Sequence, residues 1–332
     1  MRCADGNAEP GHRAVGDHDA LFKRAFGVPQ HAAAELRCVL PTSACERLDL
    51  DALALMPASF VDAELAHRHA DLLFRVPIRD RPGKAAYVYV LLEHQSEPDH
   101  LMAWRVFGYL HRIWAAILRE EPHRKSLPPI VTVVVHHGAG GWTAPRRFHE
   151  LVEDIETLPE LAPLIPDFEL VIDDLGAIAD EALRTRPIPP FPKLALWLLR
   201  DGRQLEAFFT HLAAWAEEIR ELARRDPAHE DRAVLARYIL RVAGEIPSEL
   251  LRQRIAKDAP EFEESMASAA EQLIEQGRTI ALRETLERLL RTRFGDLDQG
   301  IEQRIATASP TDLDRWLERV ITAERPDDIL EP

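Results

Sequence analysis

The chain has 332 residues, 46% hydrophobic and 29% charged, with a formal net charge of −15. That length supports one sizeable core with one or two smaller units, and the composition excludes disorder as the main state. The longest apolar runs, such as 86–92 and 130–135, are far too short to span a bilayer.

Residues 1–17 read as a polar, flexible N-terminus, broken by Pro10 and glycines and without the apolar segment of a secretory signal. The three cysteines, Cys3, Cys38 and Cys45, show no CxxC spacing and fit a reducing, cytoplasmic setting. The charge is uneven. Residues 1–142 carry 16 Lys+Arg against 17 Asp+Glu, whereas residues 143–332 carry 25 against 39. The first half is therefore compatible with a polyanion such as DNA. The acidic second half offers a surface for a second copy or a protein partner.

In chain order, apolar spacing predicts a helix over 17–39, interrupted at Pro29. Residues 70–78 and 86–92 (AYVYVLL) read as strands, and the RDRPGK stretch between them as a turn, which makes an antiparallel hairpin. An amphipathic helix follows over 101–119, then a buried strand over 128–137 closed by Gly138. Helix, hairpin, helix and strand in this order predict an α/β fold with a mixed sheet flanked by helices.

Beyond Trp142 the pattern becomes mainly helical. Residues 158–172 are punctuated by prolines, and RPIPPFP at 186–192 reads as a linker or rigid connection. Helical segments are expected at 194–199, 204–224, 231–243 and 248–257. The last section, divided by Gly277, Gly295, Gly300 and Pro310, reads as a small separate helical unit. The domain expectation is an α/β core over 18–142, a helical extension over 143–260 and a C-terminal helical domain over 261–332.

The hairpin carries the chemistry. Asp71 opens its first strand and Glu93 closes its second, so both carboxylates come to the same open end. Two neighbouring carboxylates are costly unless a cation neutralises them, and hard oxygen ligands suit Mg²⁺ or Mn²⁺. Strand alternation puts Glu93 and Gln95 on one side, so Asp71, Glu93 and Gln95 converge on one metal. Such a metal activates water and stabilises charge on a phosphate oxygen.

The strings HDALFK at 18–23, SFVD at 59–62, ADLLF at 70–74, LLEHQS at 91–96, MAWR at 102–105 followed by Tyr109, and VHHG at 135–138 closing with Trp142 stand out. In order and spacing they resemble the YhgA-like (Rpn) family of recombination-promoting nucleases. The resemblance covers roughly residues 18–200. The stretches LLRTRFG at 289–295 and LDRWL at 313–317 are similar to a small helical domain often attached to these proteins. The resemblance implies a PD-(D/E)XK nuclease fold, Mg²⁺-dependent DNA cleavage and a link to recombination. Asp71 matches the metal-binding Asp, Glu93 the acidic ligand, and Gln95 stands where the broader superfamily has Lys. Gln orients a water through its amide but adds no full charge to the transition state.

Other residues fit this reading more loosely. Asp19 and Lys23 lie four apart on the first helix. They read either as a surface ion pair or as a face turned to the site, with Lys23 near a phosphate. Arg105, Tyr109 and Arg112 share helical spacing and read as a grip on the DNA backbone or as a solvated face. A zinc site would need more ligands around His136 and His137, and nothing in the sequence brings His67 and His69 there. Trp142 reads as packing. The glycine-rich 138–141 lacks the Gly-Lys-Ser/Thr of a phosphate loop, and no GxSxG or HExxH is present. The reading is thus a metal-dependent DNA endonuclease. The alternatives are a catalytically silent DNA- or protein-binding relic of the same fold, or a subunit active only in a complex.

Overall fold

A computed structural model describes residues 10–57, 71–93, 98–242, 248–323 and 325–330. The chain forms two compact units, Met1–Glu263 and Glu264–Pro332. The first is built on a five-stranded sheet in the order β1-β2-β3-β4-β5. The strands are β1 (Ala54–Leu55), β2 (Leu72–Pro77), β3 (Ala85–Glu93), β4 (Ile130–His136) and β5 (Val171–Asp174). β1, β2 and β3 pair antiparallel, whereas β3, β4 and β5 pair parallel, so the sheet is mixed as the element order implied.

β3 is buried along its whole length, which explains its unbroken apolar run. One face meets α4 (Met102–Glu120), whose Met102, Val106, Leu110, Ile113 and Ile117 pack on Leu73, Tyr89, Leu91 and Val134. The indole of Trp114 donates to the Pro128 carbonyl and pins this helix to the entry of β4. The opposite face meets α1 (Pro10–Phe26) and α2 (Pro29–Val39). There Phe22, Phe26 and Leu36 face Phe74, Val90 and Val135 around a small apolar gap.

The expected single helix over 17–39 is two helices. Pro29 lacks an N–H and suits the first turn of α2, so it starts a new helix after Gly27 and Val28. α1 starts at Pro10, inside the segment read as a flexible N-terminus. The sheet does not stop at residue 142. β5 belongs to it and lies in the acidic half, in a run whose prolines hid a strand of four residues.

The RPIPPFP stretch is no loose tether. Ile188 and Phe191 are buried and Pro190 opens α6 (Pro190–Asp201), where every residue from Leu194 on is buried. Around it pack α5 (Asp180–Arg184), α7 (Leu205–Leu212), α8 (Ala216–Arg225) and α9 (Glu230–Val242), with Trp197 stacked on Trp215 at 5.0 Å and on Phe208 at 5.1 Å. The helix expected over 204–224 breaks between Leu212 and Ala216. α10 (Ser248–Asp258) follows.

The second unit holds α11 (Glu263–Phe294), α12 (Gln299–Thr307), α13 (Pro310–Arg319) and α14 (Pro326–Ile329). Its core joins Leu286, Leu290, Ile305, Leu313 and Trp316. Gly277, read as a divider, sits within the unbroken α11, because a lone helical glycine costs only about 1 kcal/mol. Gly295, with φ +85°, stops that helix. Asp298 caps α12 by accepting from the Gly300 and Ile301 amides, and Ser309 caps α13. No described helix is long and apolar enough to cross a membrane.

Candidate active site

The register sets the site. In the parallel strands Glu93 lies beside His136 and His136 beside Asp174, so three polar side chains line up where β3, β4 and β5 end. The carboxyl ends of parallel strands are a common place for ligands in α/β sheets. β2 runs antiparallel, so Asp71, one residue before Leu72, comes to the same end. Its neighbour Leu72 pairs with Val90, which puts Asp71 on the sheet face shared by Tyr89 and Glu93.

Tyr89 donates to Asp71 Oδ2 at 2.5 Å, while the buried Oδ1 has no hydrogen-bond partner among the described residues. Burial pushes the Asp71 carboxyl up to about 7, against the Tyr89 hydrogen bond and the charges of Lys23 and Arg105, and Asp19 adds to the rise. The charges of Asp19 and Lys23 on α1 both act on this carboxyl, although the Lys23 side chain is itself exposed.

Glu93 is only 1% exposed, and Arg105 Nη1 lies 3.6 Å from its Oε2. Arg105 also donates to Asp99 at 3.0 Å and to the Tyr109 hydroxyl at 3.4 Å. Burial works against its charge, but Tyr109, Asp99 and Glu93 more than offset this and hold the guanidinium above its ordinary range. The Tyr109 ring meets Tyr89 edge-on at 5.7 Å. Asp71, Tyr89, Tyr109, Arg105 and Glu93 thus form a connected set around the sheet end.

The same contacts divide the three residues expected to share one face of α4. Arg105, Tyr109 and Arg112 do not form one exposed face, because Tyr109 is buried and Arg105 turns inward, while Arg112 is exposed. Gln95, the third expected catalytic residue, lies outside the described residues, as do His67, His69 and the 59–62 string.

Two participants escaped the sequence reading. Asp174 Oδ1 lies 3.2 Å from His136 Nδ1, and its Oδ2 accepts from the Trp142 amide at 2.7 Å. His136 Nε2 is buried without a hydrogen-bond partner among the described residues. Gly176 lets the two loops meet here, since a Cβ would fall 2.2 Å from the Gly138 carbonyl oxygen. Tyr89 was visible in principle, four residues before Glu93 on the same face of a strand. Asp174 was hidden with its short strand.

A buried carboxylate, a half-buried one and its unpartnered acceptor oxygen suit a hard divalent cation. Asp71 and Glu93 are the residues here that could hold one. A different trio, Asp180, Asp201 and His211, is the one set of three ligand atoms within 4.8 Å of one another found among the described residues. Its charge is already answered. Arg200 donates to Asp180 at 2.5 Å and to Asp201 at 2.6 Å, and Trp215 and Trp197 each donate to one of them at 2.8 Å. A guanidinium occupies the place of a cation, so this trio reads as a structural knot between α5, α6 and α7.

The family described as "Putative transposase, YhgA-like" matches residues 16–227. Among curated proteins, the chain is 38% identical over 239 residues to "Recombination-promoting nuclease RpnD" of Escherichia coli O157:H7, covering 65% of this chain and 90% of that protein. It is 28% identical over 258 residues to "Recombination-promoting nuclease RpnA" of Escherichia coli K12, covering 69% of this chain and 84% of that protein. It is also 26% identical over 302 residues to "Inactive recombination-promoting nuclease-like protein RpnE" of Escherichia coli K12, covering 90% and 95%. No solved structure matches the chain. With the family match spanning well over half of its length, the chain belongs to the YhgA-like family that includes the recombination-promoting nucleases.

Proposed function

We propose that the protein is a metal-dependent DNA endonuclease of the PD-(D/E)XK type, linked to DNA recombination or mobile elements and working in the cytoplasm. The observation that carries this reading is the β2–β3 register, which brings Asp71 and Glu93 to one end and one face of the sheet. The names of the relatives RpnD and RpnA agree with it.

In this reading Asp71 and Glu93 are the metal ligands. Mg²⁺ or Mn²⁺ bound there would lower the pKa of a water and neutralise charge growing on the phosphate. Tyr89 holds Asp71 in orientation through its short hydrogen bond. Arg105 offsets the charge of Glu93 before any cation arrives. Lys23, exposed on α1, would meet a phosphate of the strand being cut. Gln95 orients the attacking water through its amide. Arg112 is left as the exposed backbone contact on α4.

Plasmid cleavage with EDTA, Mg²⁺ or Mn²⁺, run beside Asp71→Ala, tests this. Nicking that needs metal and vanishes in the folded variant supports it, and unchanged cleavage by Asp71→Ala sinks the assignment. A second reading, a silent DNA- or protein-binding module, draws on Gln95 in place of Lys and on the word "inactive" in the name of RpnE. DNA binding without cutting under any metal favours it. A second copy or another protein docked on the acidic helical half would make the protein a subunit of a larger assembly, and sizing the purified chain tests that.

A further inference from the structure

The end of β4 carries a histidine that has no part in the acid pair. His136 is in register with Glu93 of β3 on one side and with Asp174 of β5 on the other. Two residues back on each strand, Leu91, Val134 and Ile172 all pack in or against the core under α4. Side chains two apart on a strand share a face, so Glu93, His136 and Asp174 form one row on the face that also bears Asp71. Neighbouring strands are only about 4.8 Å apart, which sets the imidazole beside Glu93 in that row.

The ring is held in one orientation. Asp174 Oδ1 lies 3.2 Å from its Nδ1, and the Trp142 ring meets it edge-on at 5.5 Å. The carboxylate is cradled in turn, since a Cβ at Gly141 would fall 3.2 Å from Asp174 Oδ2. β4 lies between β3 and β5, so with Nδ1 on the β5 side the ring turns Nε2 toward β3 and Glu93. His136 is 0% exposed, and this buried Nε2 has no hydrogen-bond partner among the described residues. A buried polar atom without a partner is costly. A ring held by a carboxylate at one nitrogen is the usual form of a histidine that binds metal at the other.

Arg105 draws Glu93 to itself, and the donor atoms of Asp71, Glu93 and His136 do not all lie within 4.8 Å of one another. Bringing them together takes a turn of the Glu93 side chain. Arg105 is not stranded by that turn, because it keeps Asp99 and the Tyr109 hydroxyl as partners.

We propose that His136, through Nε2, is a third protein ligand of the cation held by Asp71 and Glu93, so that the site takes a transition ion such as Mn²⁺ in preference to Mg²⁺. This rests on the nuclease reading above, in which the acid pair binds a cation. Mg²⁺ takes oxygen ligands in a near-ideal octahedron. Mn²⁺ accepts the same carboxylates but belongs to the series of ions that imidazole also binds.

The test uses the untagged full chain without DNA, at one pH, titrated with Mn²⁺ and with Mg²⁺ in a calorimeter. Wild type is expected to bind Mn²⁺ at least about tenfold more tightly than Mg²⁺. His136→Gln is expected to weaken Mn²⁺ binding about 10- to 100-fold and Mg²⁺ binding by less than about threefold. Asp174→Asn keeps the ring but loosens its hold, and is expected to weaken Mn²⁺ binding about tenfold. Pulsed EPR of the bound Mn²⁺ should show coupling to a nitrogen in wild type and lose it in His136→Gln. Bound Mn²⁺ without nitrogen coupling in wild type would overturn the proposal whether or not the variant folds. Equal Mn²⁺ affinity in wild type and folded His136→Gln would overturn it too. Asp71→Ala separates the two ideas. Mn²⁺ binding that needs Asp71 but shows no nitrogen removes His136 and leaves the nuclease reading, whereas Mn²⁺ affinity unchanged in Asp71→Ala removes both.

Discussion

Tyr89 and Asp71 lie on adjacent strands of one hairpin, and the phenol donates to the carboxylate at 2.5 Å. The bond favours the charged form of Asp71 and works against the burial that raises its pKa. Tyr89→Phe is therefore expected to push the Asp71 pKa further above 7. The acidic limb of the cleavage profile should move to higher pH, with about 1–2 kcal/mol lost in urea denaturation. An unshifted profile would show that Asp71 does not govern the acidic limb.

The pKa of Asp71 also bears on stability. Its folded value of about 7 lies above the ordinary 3.8, so the folded state binds the extra proton between those limits. This contribution is fully present below about pH 4 and is lost as pH rises through about 7, on the order of 4 kcal/mol in total. In EDTA, wild type should lose stability relative to Asp71→Asn as pH rises from about 4 to about 7, the range given by that shift. Adding Mg²⁺ should restore wild type at the alkaline end and leave the variant unmoved. Parallel melting curves at several pH values check both points.

Arg186 is held among carboxylates. It pairs with Glu35 and donates twice to Asp173, at 2.6 and 3.1 Å, which ties α2 to β5. Burial and the charge of Asp173 push Glu35 up to about 8. Both effects favour the protonated form of Glu35, and Glu35→Gln is expected to change stability by less than about 1 kcal/mol. Arg186→Ala leaves Asp173 buried and unpaired and should cost about 3–5 kcal/mol. Equal effects of the two substitutions in denaturant unfolding would contradict this division of charge.

Asp174 holds His136 on one side and the Trp142 amide on the other. Asn has one acceptor oxygen and cannot serve both donors as a carboxylate does. Asp174→Asn should cost about 1 kcal/mol or more and release the ring of His136. Two-dimensional NMR of the histidine side chains would show the change as a new tautomer balance, and a histidine spectrum identical to wild type would refute it.

The sequence alone determined the sheet's centre and the acid pair. The run AYVYVLL, buried on both faces, could only be a central strand, and the turn chemistry of RDRPGK paired it with 72–77. Once that hairpin is drawn, Asp71 and Glu93 fall at one end by chain geometry. The helix of α4 and the strand of β4 were legible for the same reason, strong periodicity over a long segment. Tertiary structure decided the rest. β5 has four residues, too few for a pattern, and it earns its place only by pairing with β4. Asp174 thereby meets His136 across 38 residues of sequence. Helical spacing put Arg105 and Tyr109 together but could not say whether they face DNA or the core. Packing against Tyr89 and Glu93 turned them inward, because side-chain direction is set by what the helix covers, and only the folded sheet supplies that surface.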